Sequence, residues 1–433
     1  MDHTLIIGNG ISGITAARHI RKLSDRKITV VSDESKYFFS RTAMMYVFMG
    51  HMTFEHTKPY EDNFWQKNRI DLVFGRVEKV ETDNKEVKLS DGTALEYDEL
   101  IIATGSVYNV FDWPGADLEG VTGLYHLQDM EKMERATRNI KKAVIVGGGL
   151  IGVEMAEMAL SRGIETTILA REQEYWDNVL PKPEAKFIGN HIRSHGVDLR
   201  LNTQLKQIVN DGMGRVGGVL TDKGERIDCQ FVGLTVGVRP NIGFLSGSGI
   251  ETNRGVLINE HLETSAPGVY AVGDCAEHRT PPPGRNSIEQ VWYTGRMMGE
   301  TVAKSICGSR TTYQPGPWFN SAKFFDLEYQ TYGKVAPVQE EGEARFYWEH
   351  SDGKKCMHIV FDKNDRRFIG INVVGMRLRH VLFDQWLREG RDIDYVAGKL
   401  KEANFDPEFF HRHEEQIIEQ FYRDFPKHKA AAG

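Results

Sequence analysis

The chain carries one local design twice, and that repetition constrains its fold more than any other feature. Thr4 to Ile7 reads as a short buried strand, Gly8-Asn9-Gly10-Ile11-Ser12-Gly13 as a glycine turn, and Ile11 to Leu23 as an amphipathic helix. A second strand, Ile28 to Val31, follows. Far along the chain the order returns as strand Ala143 to Val146, turn Gly147-Gly148-Gly149-Leu150-Ile151-Gly152, a helix to about Ser161 and strand Thr166 to Leu169. In such a GxGxxG turn the first glycine (Gly8, Gly147) permits the tight turn and the second (Gly10, Gly149) lets backbone approach a pyrophosphate. The third (Gly13, Gly152) lets the helix pack close to the strand. The N-terminus of the helix then faces the anion. One such turn is a weak signal; two in the same strand–turn–helix–strand setting imply two Rossmann-like α/β units and two dinucleotides. The economical pairing is a bound flavin, FAD, beside a nicotinamide.

Carboxylates follow the first unit at Asp33 and Glu34, where one can accept hydrogen bonds from an adenosine ribose. Glu34 is the first choice and Asp33 the second. In the second unit Arg171 stands 24 positions beyond Gly147, where NAD-selective sites usually present an acid. An arginine there can pair with a 2′-phosphate. Glu172 is its neighbour, so the reading leans to NADPH and leaves NADH open.

With 433 residues the chain exceeds one hydrophobic core and suggests two to four domains. Its net charge of -7 gives no global attraction to nucleic acid or anionic lipid. The four cysteines, Cys229, Cys275, Cys307 and Cys356, form no CxxC pair, so neither a disulfide framework nor a metal site is expected. A start running straight from Met1 into an apolar strand leaves no room for a signal peptide, and the expected location is cytoplasmic. No apolar run reaches the roughly 20 residues that span a bilayer.

Further segments carry a family resemblance. Tyr97 to Ser106, with Ala103-Thr104-Gly105 at its centre, resembles the ATG segment that closes the first flavin-binding stretch of two-dinucleotide flavoproteins. Thr264 to Cys275, ending in Gly273-Asp274-Cys275, resembles their second flavin motif. With both glycine turns, these cover the chain to about residue 310 and make it similar to the pyridine nucleotide-dependent FAD oxidoreductases of the glutathione reductase-like superfamily. The resemblance implies that Asp274 meets the FAD ribityl chain and that Glu154, just beyond Gly152, contacts the nicotinamide side.

Within that superfamily, disulfide reductases carry a redox cysteine just after the first ribose acid, and Ser35 to Met45 contains none. Phe39-Ser40-Arg41 is instead similar to the Tyr-x-Arg segment of rubredoxin, ferredoxin and nitrite reductase flavoproteins, which makes Arg41 a fork for the FAD pyrophosphate. The lysine with which those relatives reach the flavin is replaced nearby by Met44, Met45 and Tyr46. Pro317-Trp318-Phe319-Asn320-Ser321 resembles the PWFWS-type segment of oxygenase-coupled ferredoxin reductases, with Asn320 in place of an aromatic; packing is the expected role of these rings.

The resemblance implies a discontinuous FAD domain over residues 1–112 and 245–308, a nicotinamide domain over 113–244, and a C-terminal α+β interface domain over 309–433 that makes a homodimer. Seams are visible at Trp113-Pro114-Gly115 and Gly237 to Asn241. In the last part, strands are expected near Arg345–Trp348, Cys356–Phe361 and Phe368–Val374, and helices near Arg377–Arg388 and from Glu408 to Phe425. His411 and His413, two apart, share no helix face, so a solvated surface is expected there rather than a metal. Phe409, Phe410, Phe421 and Phe425 are expected to pack in a core.

By resemblance, NAD(P)H gives its C4 hydride to flavin N5 in a ping-pong cycle, and a helix starting around Ser287 to Gln290 directs its positive end at the flavin. Three functional readings stand: a reductase for a small electron-carrier protein such as a ferredoxin or rubredoxin, a quinone or oxygen reductase, and a flavin-bearing interaction or signalling subunit with little turnover.

Overall fold

The computed structural model describes residues 2–405 and 412–426. The two glycine turns nucleate two parallel five-stranded sheets that share the order third, second, first and return strand and differ in the origin of the fifth. In the first, strands run Val269–Ala271, Glu99–Ile102, His3–Ile7, Lys27–Ser32, Ile70–Phe74; in the second, Asp198–Arg200, Glu165–Leu169, Lys142–Val146, Phe231–Leu234, Val121–Thr122. Register is direct, with Ile6 beside Val30 on one side and Ile101 on the other, and Ile145 beside Ile168 and Gly233. Such strands are buried on both faces, which explains their continuous rather than alternating hydrophobic runs. Leu5, Ile6, Ile101 and Ile145 are fully buried, each contributing about 1.5–3 kcal/mol relative to exposure.

In each sheet the chain passes from the first strand to one side and later returns to the other. The crevice at the C-terminal end of that central strand is therefore a topological switch point, where α/β sheets bind ligands. The helices after the turns span Ile11–Leu23 and Leu150–Ser161. The duplication goes further than the turns: a three-stranded antiparallel meander precedes the return strand in both units, Val77–Glu81 to Ala94–Glu96 in one and Leu205–Asn210 to Arg226–Ile227 in the other.

The last part is a five-stranded antiparallel sheet ordered Phe319–Phe324, Leu327–Gly333, Phe368–Val374, Cys356–Asp362, Glu343–Glu349. It is covered on both faces. Met357, Ile359 and Phe361 point to helices His380–Arg388, Ile393–Lys399 and Glu414–Asp424, while Cys356, Val374, Phe324 and Tyr329 join the core of the second parallel sheet. That second core also takes in Met44, Met45 and Phe48 of the short helix Met44–Phe48, so it knits all three parts together.

Three local expectations shift. The helix placed at Ser287 to Gln290 begins at Trp292, because Val291 keeps extended backbone (φ -134°, ψ 136°). The helix placed at Arg377 starts at His380. Asp406 to His411, with Phe409 and Phe410, lie outside the described residues; the final described helix is Glu414–Asp424, and its Phe421 is buried with Phe425 packed beside it. The solvated surface expected at His413 is not found. His413 is buried against the rings of Trp348 and His350, and the buried Glu414 accepts a hydrogen bond from Asn404 Nδ2 at 2.8 Å. The start of this helix lies on the antiparallel sheet, which removes those side chains from water.

Candidate active site: two dinucleotide cradles

The two glycine turns have matching internal geometry. Gly8 has φ +109°, and a Cβ there would stand 2.2 Å from the Ala103 carbonyl oxygen; Gly147 has φ +126°, and its Cβ would stand 2.4 Å from the Thr235 oxygen. Only glycine meets both demands. Gly13 and Gly152 are equally tight, since a Cβ on either would stand 2.1 or 2.4 Å from the oxygen of Gly8 or Gly147 respectively. By contrast a Cβ at Gly10 or Gly149 would meet nothing within 4 Å. The chain therefore leaves space at the one position in each turn where a pyrophosphate must come close.

Gly10 opens into a cavity of about 960 Å³ that runs past Asp33, Glu34 and Arg41 to Ala103, Thr104 and Gly105, and on to Asp274. Gly273, with φ +76°, packs on Ser12 in the glycine-turn helix and so holds Asp274 against that helix. Two residues read separately from the sequence prove to be one unit. Arg41 donates to both carboxylate oxygens of Glu34 at 2.7 and 2.5 Å, and also to the Tyr125 carbonyl. Burial opposes ionisation of Glu34, but Arg41 outweighs it and holds the carboxyl below its usual range; the same pairing raises Arg41 against its own burial. Glu34 accepts a further bond from the Leu127 amide at 2.9 Å.

Tyr125 escaped the sequence reading. Its hydroxyl donates to Asp274 at 2.9 Å and accepts from the Ser106 amide at 3.0 Å, and its ring carries the Arg41 guanidinium 4.8 Å from the centroid. Burial pushes the Asp274 carboxyl up, with Tyr125 and Arg41 acting against it. Gln290 donates to Ser106 Oγ at 2.9 Å, extending this network toward helix Trp292–Ile306. No periodicity or motif marks Tyr125, which lies just before the helix Leu127–Ala136, far in sequence from both partners.

At the second cradle Arg171 projects outward with its side chain 75 % exposed, and its Nε lies 3.3 Å from Glu172 Oε1. Glu172 turns inward: its Oε2 would stand 3.3 Å from a Cβ on Gly148. Tyr175 braces the same turn by donating to the Gly149 carbonyl at 2.7 Å. Glu154 sits on helix Leu150–Ser161, where burial, reinforced by Glu157, pushes its carboxyl up to about 7. Lys323 reaches this region from the antiparallel sheet, 3.8 Å from Glu157 and 5.7 Å from the Tyr46 ring centroid. A lysine thus arrives beside Tyr46 from a distant segment. Trp318 lies under Arg285, and Phe319 packs on Tyr293 and His380.

All four cysteines are free. Cys275, beside Asp274, is buried with its thiol directed at the Ile102 and Val272 carbonyls, and burial raises it.

Two parallel sheets, each with an open glycine turn at its switch point, define a two-dinucleotide oxidoreductase. The chain belongs to the pyridine nucleotide-disulphide oxidoreductase family, whose model matches residues 2–299. This family uses FAD with a nicotinamide dinucleotide, and the open Gly10, the long cavity and the buried carboxylate at its end fit FAD. The chain is 33 % identical over 364 residues to the nitrite reductase [NAD(P)H] of Bacillus subtilis (strain 168), covering 83 % of this chain and 43 % of that one. It is 30 % identical over 345 residues to the 5,5'-dehydrodivanillate O-demethylase ferredoxin reductase subunit of a Sphingobium species, covering 78 % and 82 %. The chain therefore spans less than half of the first relative and most of the second. The fold matches a ferredoxin reductase for the CYP199A2 system from Rhodopseudomonas palustris with a TM-score of 0.81, 22 % identity, and coverage of 97 % and 100 %. No helix among the described residues is long and apolar enough to cross a membrane.

Proposed function

We propose that the chain is an FAD-dependent NAD(P)H:acceptor reductase whose acceptor is a small electron-carrier protein of the ferredoxin or rubredoxin kind. The observation that carries this reading is the pair of open cradles together with the absence of any cysteine from 35 to 45 beside the first. When bound, FAD supplies the hydride and electron chemistry. Gly8, Gly10 and Gly13 admit its pyrophosphate, the Arg41–Glu34 pair with Asp33 frames the adenosine and phosphate end, Ala103, Thr104 and Gly105 form the wall, and Gly273 with Asp274 receives the ribityl end. Gly147, Gly149 and Gly152 admit the nicotinamide dinucleotide, and Glu154 positions its ring. With Glu172 inward and Arg171 outward, the second cradle favours a free ribose 2′-hydroxyl, hence NADH, over the NADPH preference that Arg171 suggests in sequence.

The domain limits proposed are 1–112 with 245–308, 113–244, and 309–433. The chain acts in the cytoplasm as a homodimer through the last of these. The ferredoxin reductase names of the Sphingobium and Rhodopseudomonas proteins support a protein acceptor. The test is anaerobic reduction of FAD-loaded protein with NADH or NADPH, followed by ferredoxin, rubredoxin, a quinone and oxygen. Faster turnover of a carrier protein is expected. Faster turnover of quinone or oxygen, or negligible turnover with all four, overturns the proposal in favour of a quinone or oxygen reductase or of a low-turnover interaction subunit.

A further inference from the structure

Away from both cradles, two histidines and an aspartate converge where the second parallel sheet meets the antiparallel one. His191 lies on the last turns of helix Lys182–Ser194, and His195 is its C-terminal cap, so the two stand one turn apart on one face. Opposite them, strands Phe319–Phe324 and Leu327–Gly333 join through the two-residue turn Phe325-Asp326. Asp326 Oδ1 lies 2.7 Å from His191 Nε2 and 3.2 Å from His195 Nε2. One donor atom from each residue falls in a group no wider than 4.8 Å.

The hydrogen bonding around His195 indicates what belongs between these atoms. Its Nδ1 lies 3.0 Å from the His191 carbonyl, which can only accept, so Nδ1 carries the proton. In neutral imidazole Nε2 is then a bare lone pair, and it faces a carboxylate oxygen. Such an arrangement is repulsive unless a positive charge joins the two, either a proton on Nε2 or a metal ion in its place. A ring N–H given to a backbone carbonyl is also how metal-bound histidines are commonly oriented. Phe325 stacks on the His195 ring at 4.4 Å and 16°, holding its plane, while His191 is buried.

We propose that His191, His195 and Asp326 bind one divalent transition-metal ion of the zinc class. Two imidazoles with one carboxylate select zinc, copper, nickel or cobalt over magnesium or calcium. Zinc bonds of about 2.0–2.2 Å put tetrahedral ligands about 3.3 Å apart; the 3.2 Å contact matches this spacing, while the 2.7 Å contact is a direct hydrogen bond that opens when an ion enters. Asp326 is 59 % exposed, which leaves the fourth position to water and lets its carboxylate adjust. Lys354 faces the site with like charge and Glu157 with opposite charge. The ion ties the end of helix Lys182–Ser194 to the antiparallel hairpin, fastening the second dinucleotide unit to the C-terminal sheet. In the sequence His191 and His195 stand at i and i+4, but Asp326 lies over a hundred residues away, and no reading of the sequence singled out the three.

The test uses full-length, tag-free, FAD-loaded protein stripped with EDTA and titrated with Co²⁺ and Zn²⁺, with visible absorption of bound Co²⁺ and metal analysis as readouts. One ion per chain is expected, with affinity at least about tenfold lower in His195→Gln and Asp326→Asn at unchanged flavin content and circular dichroism. In the wild-type chain, Zn²⁺ is expected to protect His195 from diethyl pyrocarbonate, a measurement independent of how the variants fold. No saturable binding, equal binding by the variants, or modification of His195 at the same rate with and without Zn²⁺ overturns the proposal.

Discussion

Arg41 grips both carboxylate oxygens of Glu34, at 2.7 and 2.5 Å, across the mouth of the first cradle. The proposed ribose acceptor and the proposed phosphate fork are thus coupled, and neither can be altered without leaving the other's charge in a largely buried place. Removing one partner of such a pair typically costs about 3–5 kcal/mol. Arg41→Ala is therefore expected to lower both the melting temperature of FAD-free protein and the FAD:protein ratio after gel filtration. Arg41→Lys, which keeps charge but loses the fork, should recover part of the first and little of the second. An FAD ratio unchanged in Arg41→Ala would remove Arg41 from the site.

The glycine turns predict a separation of folding from binding. Gly10 has φ -70° and ψ -175°, ordinary extended backbone, with open space around its missing side chain. Gly10→Val should leave FAD-free stability within about 0.5 kcal/mol, as at other unstrained open positions, yet abolish FAD binding. Gly8→Val must both accept φ +109° and displace the Ala103 carbonyl, so it should lose stability as well as flavin. Thermal melts of both variants with and without FAD make the comparison.

Cofactor choice should follow Glu172 rather than Arg171. Glu172→Gln is expected to lower kcat/KM for NADH by about tenfold, as for loss of one charge-assisted hydrogen bond, and to narrow the gap to NADPH. Arg171→Glu should change the NADH value by only a few-fold. A large loss of NADPH activity in Arg171→Glu, with NADH unaffected, would restore the arginine as reader of the 2′-phosphate.

Electrons should leave the flavin without passing through sulfur. Replacing Cys229, Cys275, Cys307 and Cys356 by alanine or serine is expected to keep nicotinamide-driven flavin reduction and acceptor turnover within a few-fold of wild type. Stopped-flow reduction and steady-state assays of FAD-loaded protein check this. Lost acceptor turnover with intact flavin reduction would reveal a thiol relay.

Glu184 gives the fold a pH dependence of definite sign. It is fully buried between helix Lys182–Ser194 and the antiparallel sheet, accepts from Asn372 Nδ2 at 3.0 Å, and is pushed by burial from 4.5 up to about 8. Between those values the folded chain holds a proton that the unfolded chain releases, so this group's stabilising contribution is full below the unfolded value and fades as pH rises toward 8. The slope from one proton is at most about 1.4 kcal/mol per pH unit. Glu184→Gln should flatten the fall in melting temperature from pH 5 to 9; an identical profile in the variant would show that Glu184 is ionised in the fold.

What the sequence determined by itself was written at short range, in the strongly patterned segments. Gly8 to Gly13 and Gly147 to Gly152 each sit inside a strand–turn–helix unit whose periodicity and steric demands are local, so two parallel sheets and two cradles could be read directly. The antiparallel strands Cys356–Asp362 and Phe368–Val374 were legible for the same reason. The meanders were missed, since strands such as Ala94–Glu96 are three residues long and too exposed to show alternation. Tertiary structure alone decided which side chains face one another: Tyr125 reaching Asp274, Glu172 turning in while Arg171 turns out, Lys323 arriving at Tyr46, and Asp326 closing on His191 and His195. Each depends on where two sheets and their helices dock, and docking is set by the summed packing of a shared core rather than by any pattern near the residues themselves.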